Sequence, residues 1–452
     1  MIRDMSLAQI NSELSGKHFG ADVNFSAVST DTRALPEGAL YVALVGEHFD
    51  GNEFVLDAIE KGACATVVSK PVHSTVPVLQ VSDTTEALGQ IARLNREAST
   101  AHFIAITGSQ GKTTVKEMCA NIMSECRNVL VTRGNFNNHI GVPLTLLELN
   151  AEHDCAVIEL GASGLGEIAY TVAMVTPNVA VLTNAEATHI EGFGDLEGVV
   201  RTKGEIIDGL TEDGVAILNA DSPHFAVWSK RAATKNVKSF GLQNAADYHA
   251  KNLLLGSNGR SAFQLVTPQG DIEISLGLAG RHNVLNSLAA AAACIESGAT
   301  LKDVQSGLAN VKAVAGRLQL LAGIANSILI DDSYNASPSS FHAAIDVLAE
   351  QAGRKILIVG DMGELGLQAA QAHTEVGEYA RQKGIDALWA TGHHAVLAAQ
   401  SFGASGRHFV KQIDLIAAAK NELSEGDTAL VKGSRSAAME RVVEQLKMGV
   451  SL

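Results

Sequence analysis

The chain has 452 residues, with hydrophobic residues at 46%, charged residues at 18%, 42 glycines and 8 prolines. That usage excludes disorder, collagen and coiled coil and fits two to four globular domains. The formal net charge of −15 argues against wholesale nucleic-acid binding, which needs a basic face, and aromatics at 4% are thin for a base- or sugar-stacking surface.

No apolar run approaches the roughly 18 residues of a membrane helix, so membrane insertion is not expected. The opening segment MIRDMSLAQINSEL has no apolar leader core. Together with five scattered cysteines (Cys64, Cys119, Cys126, Cys155 and Cys294), none in a C-x-x-C pair, this predicts a cytoplasmic protein with reduced thiols.

In chain order, β-rich runs at 25–30, 39–45, 65–69 and 76–82 alternate with helical patterns at 54–61 and 84–97. They make a small α/β module over 1–98. A second module, 99–314, opens with an apolar run at 102–106 that lacks alternation, as a strand buried on both faces of a parallel sheet does. Similar runs recur at 128–132, 155–160, 179–183 and 215–219, with helices from 113 and over 198–210. The runs 261–266 and 271–276, joined by Thr-Pro-Gln-Gly, read as a hairpin, and helices follow at 283–297 and 301–309. The third module, 315–452, has strands at 327–331, 355–359, 387–391 and 428–431. Helices at 338–351, 368–383, 413–423 and 436–447 separate them. The fold class is therefore α/β in three modules: a small N-terminal one, a central doubly wound and mostly parallel sheet, and a C-terminal Rossmann-like open sheet.

The sharpest chemical signal is TGSQGKTT at 107–114, between a buried strand and a helix. Its glycines let the backbone close around phosphate, so Gly108, Ser109, Gln110, Gly111, Lys112, Thr113 and Thr114 read as a nucleotide phosphate loop. Lys112 would reach the terminal phosphates and the Thr113 hydroxyl would hold Mg²⁺. Ile106 stands where the first glycine of the usual pattern belongs. Glu159 ends the next buried strand, where the Mg²⁺-side acid of such folds sits. His189, past the 179–183 strand, reads as a second metal contact, while Lys203 alone reads as a weaker signal. Asn283 and Asn286, three apart at a helix start, suit either an adenine edge or helix capping. Arg317 at the module boundary could reach phosphate across a cleft. Asp331 and Asp332 end a strand at another ligand-facing edge.

In order along the chain come STDTR (29–33), GEHFDG (46–51), the phosphate loop and GNFNNHIGVP (134–143). IELGASGLGEI (158–168), HIEGFG, KGEI, GRHN, DDSYNA (331–336), VGDMGELG (359–366) and KGSRSAAME (432–440) follow. This set resembles the Mur ligases of peptidoglycan synthesis over nearly the whole chain; Ser337 is one departure, where that family more often has Asn. The resemblance implies an ATP-dependent amide-bond ligase that joins D-alanyl-D-alanine to UDP-N-acetylmuramoyl-tripeptide and releases ADP and phosphate. It implies that Thr30, Asp31, Thr32, Arg33, Phe49 and Asp50 bind the UDP-sugar end of the acceptor, with Asn137 and Asn138 also on the substrate side. It further implies that Thr113 and Glu159 hold one Mg²⁺, and that His189 and Lys203 serve a second, with Lys203 open to carbamylation. Lys112, Glu159, His189 and Lys203 then form the catalytic set. Asn283 and Asn286 match adenine contacts, Arg317 and Asp332 contacts to phosphate and ribose, and Asn335, Ser434 and Arg435 contacts to the dipeptide. A monomer is expected. Two other readings stand beside it: a related ligase such as folylpolyglutamate synthase, which should lack the STDTR and HFDG module, and a non-catalytic P-loop ATP-binding module.

Overall fold

Valine, isoleucine and alanine runs without polar alternation become strands covered on both faces, and each module is built around such strands. The computed structural model describes residues 1–187, 190–256 and 260–451. Its strands form sheets of five, nine and seven members and one two-stranded ribbon. Among the described residues no helix is long and apolar enough to cross a membrane.

The nine-stranded sheet carries the phosphate loop. The strand His102–Thr107 lies between Cys155–Glu159 and Val179–Leu182, all parallel. Successive side chains of these strands point to opposite faces. Ile104, Ile106, Val157 and Val181 pack under the helices Lys112–Ser124 and Arg281–Glu296. Phe103, Ala105, Ala156 and Ile158 pack under Gly141–Leu147, Glu167–Val175 and Leu196–Asp208. Beyond Val215–Asn219 the sheet continues in parallel through Asn236–Gly241 and Tyr248–Leu255. It ends in the antiparallel hairpin Arg260–Thr267/Gly270–Ala279.

The seven-stranded sheet places Ile328–Asp332, Thr428–Lys432, Lys355–Val359, Ala387–Thr391 and Gly406–Phe409 side by side in parallel. Gln319–Gly323 and Lys447–Ser451 add an antiparallel edge. The helices Pro338–Ala349, Ala369–Gln382 and Ala395–Phe402 cover one face, and Gln412–Glu422 and Glu440–Leu446 the other.

The small module is not an isolated core. Its helix Thr84–Glu97 starts where the Asp83 side chain accepts from the Thr85 and Glu86 amides. Asn95 then donates to the Leu146 and Leu149 carbonyls at 2.8 and 3.2 Å, and the Arg96 guanidinium to Val175 and Thr176 at 2.7 and 3.0 Å. One apolar cluster runs from Val67 and Leu88 to Phe103, Leu146 and Val172.

Two expected elements differ. The run 25–30 splits: Asn24–Phe25 pairs antiparallel with Met5–Ser6, and Val28–Ser29 pairs parallel with Leu40–Val42. The helix expected from 436 starts at Glu440, because Ala438 adopts a left-handed backbone (φ 50°) that breaks the turn.

Candidate active site

The loop 108–111 turns from the strand His102–Thr107 into the helix Lys112–Ser124 through two glycines with positive φ, 150° at Gly108 and 79° at Gly111. A Cβ at Gly108 would collide with the Thr183 hydroxyl, and one at Gly111 with Oδ1 of Asn286, so only glycine fits. The segment after the neighbouring strand Val179–Leu182 clamps the loop. Asn184 accepts from the Ser109 amide through its carbonyl (3.0 Å) and from the Gln110 amide through Oδ1 (2.8 Å). Thr183 Oγ1 donates to the Gln110 carbonyl at 2.6 Å. The Ser109 and Gln110 amides are thus engaged, and the first-turn amides of the helix, which have no intrahelical partner, are the donors left for phosphate. Lys112 Nζ curls back onto the Gly108 and Ser109 carbonyls at 2.7 and 3.2 Å. Burial depresses its pKa, with Glu159 opposing and the Arg317 charge adding to the depression.

Glu159 is 1% exposed. Its Oε1 accepts from Asn137 Nδ2 at 2.8 Å and lies 3.3 Å from the Thr113 hydroxyl. Its Oε2 is buried and has no hydrogen-bond partner among the described residues. A buried carboxylate with an unmet oxygen is costly unless a cation completes it. A hydroxyl and a carboxylate are oxygen donors of the kind Mg²⁺ selects, so the set fits the ion. Among the described residues no three His, Cys, Asp or Glu side chains converge on a metal-sized site. His189 lies outside the described residues.

Lys203, on the helix Leu196–Asp208, is 2% exposed. Its Nζ meets the Ala162 carbonyl at 3.5 Å and lies 5.5 Å from the Phe193 ring centre. Among the described residues no carboxylate lies within ion-pair distance of it. Burial, reinforced by the charge of Lys112, pulls its pKa down to about 7. A largely neutral amine is what reaction with CO₂ requires, so this lysine fits a carbamylated form.

The third module meets this edge. Asn286 Nδ2 donates to Asn283 Oδ1 at 3.0 Å and Asn283 Nδ2 to the Ala279 carbonyl at 2.7 Å, which brings the two amides together beside Gly111. Asp331 accepts from the Gly316 amide (3.1 Å) and from the Ser333 amide and hydroxyl, and so pins the module boundary. The Arg317 guanidinium stacks on Tyr334 at 4.4 Å. Asp332 accepts from Lys432 Nζ at 2.6 Å and from the Leu318 amide at 3.1 Å; burial raises its pKa while Lys432 opposes.

Other predicted residues have local partners. Asn138 Oδ1 accepts from the Ile140 and Gly141 amides, at the start of the helix Gly141–Leu147. Asn335 Oδ1 accepts from the Ala336 amide. Ser434 is buried and donates to the Asp361 carbonyl through both its amide (2.8 Å) and hydroxyl (2.7 Å). Arg435 is solvent-facing, 70% exposed, and lies 3.6 Å from Glu440. In the first module Thr30 precedes a turn capped by Asp31 and running over Thr32–Ala34. The Arg33 guanidinium beside Asp31 holds that carboxyl down at about 2. Asp50 pairs with Lys70 at 2.5 Å next to the exposed ring of Phe49.

Sequence reasoning missed Thr183, Asn184 and Glu186, although their place just past a strand neighbouring the phosphate-loop strand was a usable signal. It also missed Lys432 as the partner of Asp332, which only the fold reveals.

Three family profiles match in order: Mur ligase family, catalytic domain, over 24–96; Mur ligase middle domain over 106–294; and Mur ligase, glutamate ligase domain, over 316–435. The UDP-N-acetylmuramoyl-tripeptide–D-alanyl-D-alanine ligase of Escherichia coli K12 is 47% identical over 449 residues, which cover 98% of each chain. The crystal structure of MurF from Acinetobacter baumannii superposes with a TM-score of 0.92 at 35% identity and 98% coverage of both chains. That of MurF ligase from Thermotoga maritima in complex with ADP gives 0.84 at 28% identity, covering 93% of this chain and 96% of that one.

Proposed function

We infer the reaction from a plain premise: the chain belongs to the Mur ligase family. It is an ATP-dependent amide-bond ligase that joins D-alanyl-D-alanine to UDP-N-acetylmuramoyl-tripeptide in peptidoglycan precursor synthesis. The observation that carries this is the 47% identity, over 98% of both chains, to a ligase named for that reaction. The phosphate loop built at the edge of the central sheet supplies the chemistry.

A carboxylate is a poor electrophile because an oxide cannot leave. Transfer of the γ-phosphoryl of ATP to the acceptor carboxylate gives an acyl phosphate and ADP. The free amine of the dipeptide attacks the carbonyl carbon, a tetrahedral oxyanion forms, and its collapse breaks the C–O bond to phosphate, which leaves as hydrogen phosphate with the proton the nitrogen gives up, and the amide remains. Lys112 leaves its two carbonyl contacts for the transferring phosphoryl group and neutralises its charge. Thr113 and Glu159 hold one Mg²⁺, with Glu159 oriented by Asn137. His189 and carbamylated Lys203 serve a second. The ions supply charge neutralisation of the phosphates when bound. Arg317 and Asp332 approach the nucleotide from the third module, Asn283 and Asn286 from the second. Asn335, Ser434 and Arg435 handle the dipeptide. The first module, 1–98, receives the UDP-sugar end through Thr30–Arg33 and Phe49–Asp50. The remaining units are the ATP-binding module, 99–314, and the C-terminal module, 315–452. The protein acts in the cytoplasm, as a monomer.

A folylpolyglutamate-type ligase would have no use for the STDTR and HFDG loops, and a P-loop module without catalysis no use for a second, substrate-sized module or a second metal site. The deciding experiment follows phosphate release with ATP and acceptor fixed across D-alanyl-D-alanine, L-alanyl-L-alanine, D-glutamate, a diamino acid and L-glutamate. D-alanyl-D-alanine should stand out. Preference for a single amino acid moves the assignment to a sister enzyme, and release without amine dependence ends the ligase reading.

A further inference from the structure

Ser339 belongs to none of the motifs above, yet it sits where the third module touches the phosphate loop. It is the second residue of the helix Pro338–Ala349, whose start is fixed by a reciprocal cap between Ser337 and Ser340. Across the boundary, Gln110 Nε2 donates to Glu186 Oε2 at 2.5 Å, to Ser337 Oγ at 3.2 Å and to Ser339 Oγ. Ser339 Oγ in turn donates to Glu186 Oε2. The Ser339 hydroxyl therefore closes a triangle as acceptor from the amide and donor to the carboxylate.

Both halves of this contact are rigid. On the central side, the Gln110 backbone is held by Thr183 and Asn184, and the Glu186 amide donates to Ser109 Oγ at 2.9 Å. On the other side, the capped helix follows directly on the DDSYNA segment, which carries Asp332 and whose Tyr334 stacks on Arg317. A hydroxyl that satisfies a carboxylate and an amide at once is worth more than a neutral bond, because one partner is charged.

We propose that Ser339 is a positioning residue for phosphoryl transfer, acting through Gln110 and Glu186 to hold the third module in register with the phosphate loop. Its effect is on the fraction of molecules in which Arg317 and Asp332 face the loop. The proposal rests on the ATP-ligase reading for its kinetic consequence, whereas the contact itself is read from the chain's own side chains.

The test compares Ser339→Ala with Ser339→Thr, which keeps the hydroxyl, in the full chain. For Ser339→Ala, kcat of acceptor- and dipeptide-dependent phosphate release should fall about tenfold, the scale of one lost bond to a charged group. The dissociation constant of a non-hydrolysable ATP analogue should rise by less than kcat falls, because the loop itself is intact and only the Arg317 and Asp332 contacts are loosened. Ser339→Thr should recover most of the rate. In ligand-free solution scattering, Ser339→Ala should show a larger radius of gyration than wild type. Wild-type kcat in Ser339→Ala, an equal loss of analogue binding, or a threonine variant no better than alanine each overturns the proposal. If the wild-type chain releases no phosphate under any condition, the ligase reading fails instead. Scattering then decides the catch alone, and an unchanged radius removes it.

Discussion

Each of the two larger sheets ends a buried strand in an acid, each of the two modules also buries a lysine, and these groups are finished differently. Glu159 and Asp332 each end a parallel strand buried on both faces, and Lys203 and Lys432 are each 2% exposed. In the third module the acid and the base meet at 2.6 Å, and Lys432 also donates to the Asn335 carbonyl at 2.9 Å. That set neutralises itself. In the central module, among the described residues, Glu159 keeps an unmet oxygen and Lys203 meets a carbonyl at 3.5 Å and the Phe193 ring at 5.5 Å. The lesson is that burial alone does not mark a reactive site. A buried charge without an internal partner does, because the fold has left its cost to be met by a ligand.

The contrast can be broken most sharply at Asp332. Asp332→Asn leaves Lys432 buried and unpaired, which costs about 3–5 kcal/mol, and thermal melts should show it; Asp332→Asn with Lys432→Met should recover much of the loss. Glu159→Gln works the other way. Phosphate release should fall about 10²-fold or more, while the melting temperature should fall less than for Asp332→Asn, because Lys112 loses a nearby counter-charge but no direct ion pair. If both variants lose stability alike, the two sets are equivalent and the contrast is wrong.

Lys203 sharpens it through pH. Its folded pKa, about 7, lies below the ordinary lysine value of 10.5. Between those values the unfolded chain binds the extra proton, so stability should rise with pH from about 7 upward; below about 7 both states are protonated and the burial cost is fully felt. Melts from pH 6 to pH 9 should show this slope, and Lys203→Met should flatten it. An unchanged slope in the variant removes Lys203 as its source. The smallest effect is at Asn137. Asn137→Ala frees Oε1 of Glu159 without removing its charge, so turnover should drop about tenfold and the apparent Mg²⁺ requirement should rise.

The phosphate loop was legible because its chemistry is local: eight consecutive residues between a buried strand and a helix. The buried strands 155–159, 179–182 and 215–219 were legible because burial on both faces leaves an unbroken apolar run. The strand Asn236–Gly241 was not, since its first residues are polar and partly exposed. Nor was the break at Ala438, where an alanine takes a backbone that sequence assigns to glycine. The partners that give the site its character are far apart in the chain: Asn137 and Glu159 by 22 residues, Asp332 and Lys432 by 100, Gln110 and Ser339 by 229. No spacing rule reaches across such gaps.

The helix Thr84–Glu97 has a mechanical consequence. Its side chains are bonded to four carbonyls of the central module and its apolar face lies in a shared core. Sliding the first module against the second would tear those bonds and expose that core, so the first module and the phosphate loop travel as one body. Among the described residues, the joint to the third module runs through the segment near Gly316, whose amide is tied to Asp331 and whose carbonyl accepts from the Tyr334 amide. Three sheets thus make a two-part machine with one moving coordinate. A single pair of spectroscopic labels, one on each side of that joint, is enough to follow the whole working cycle.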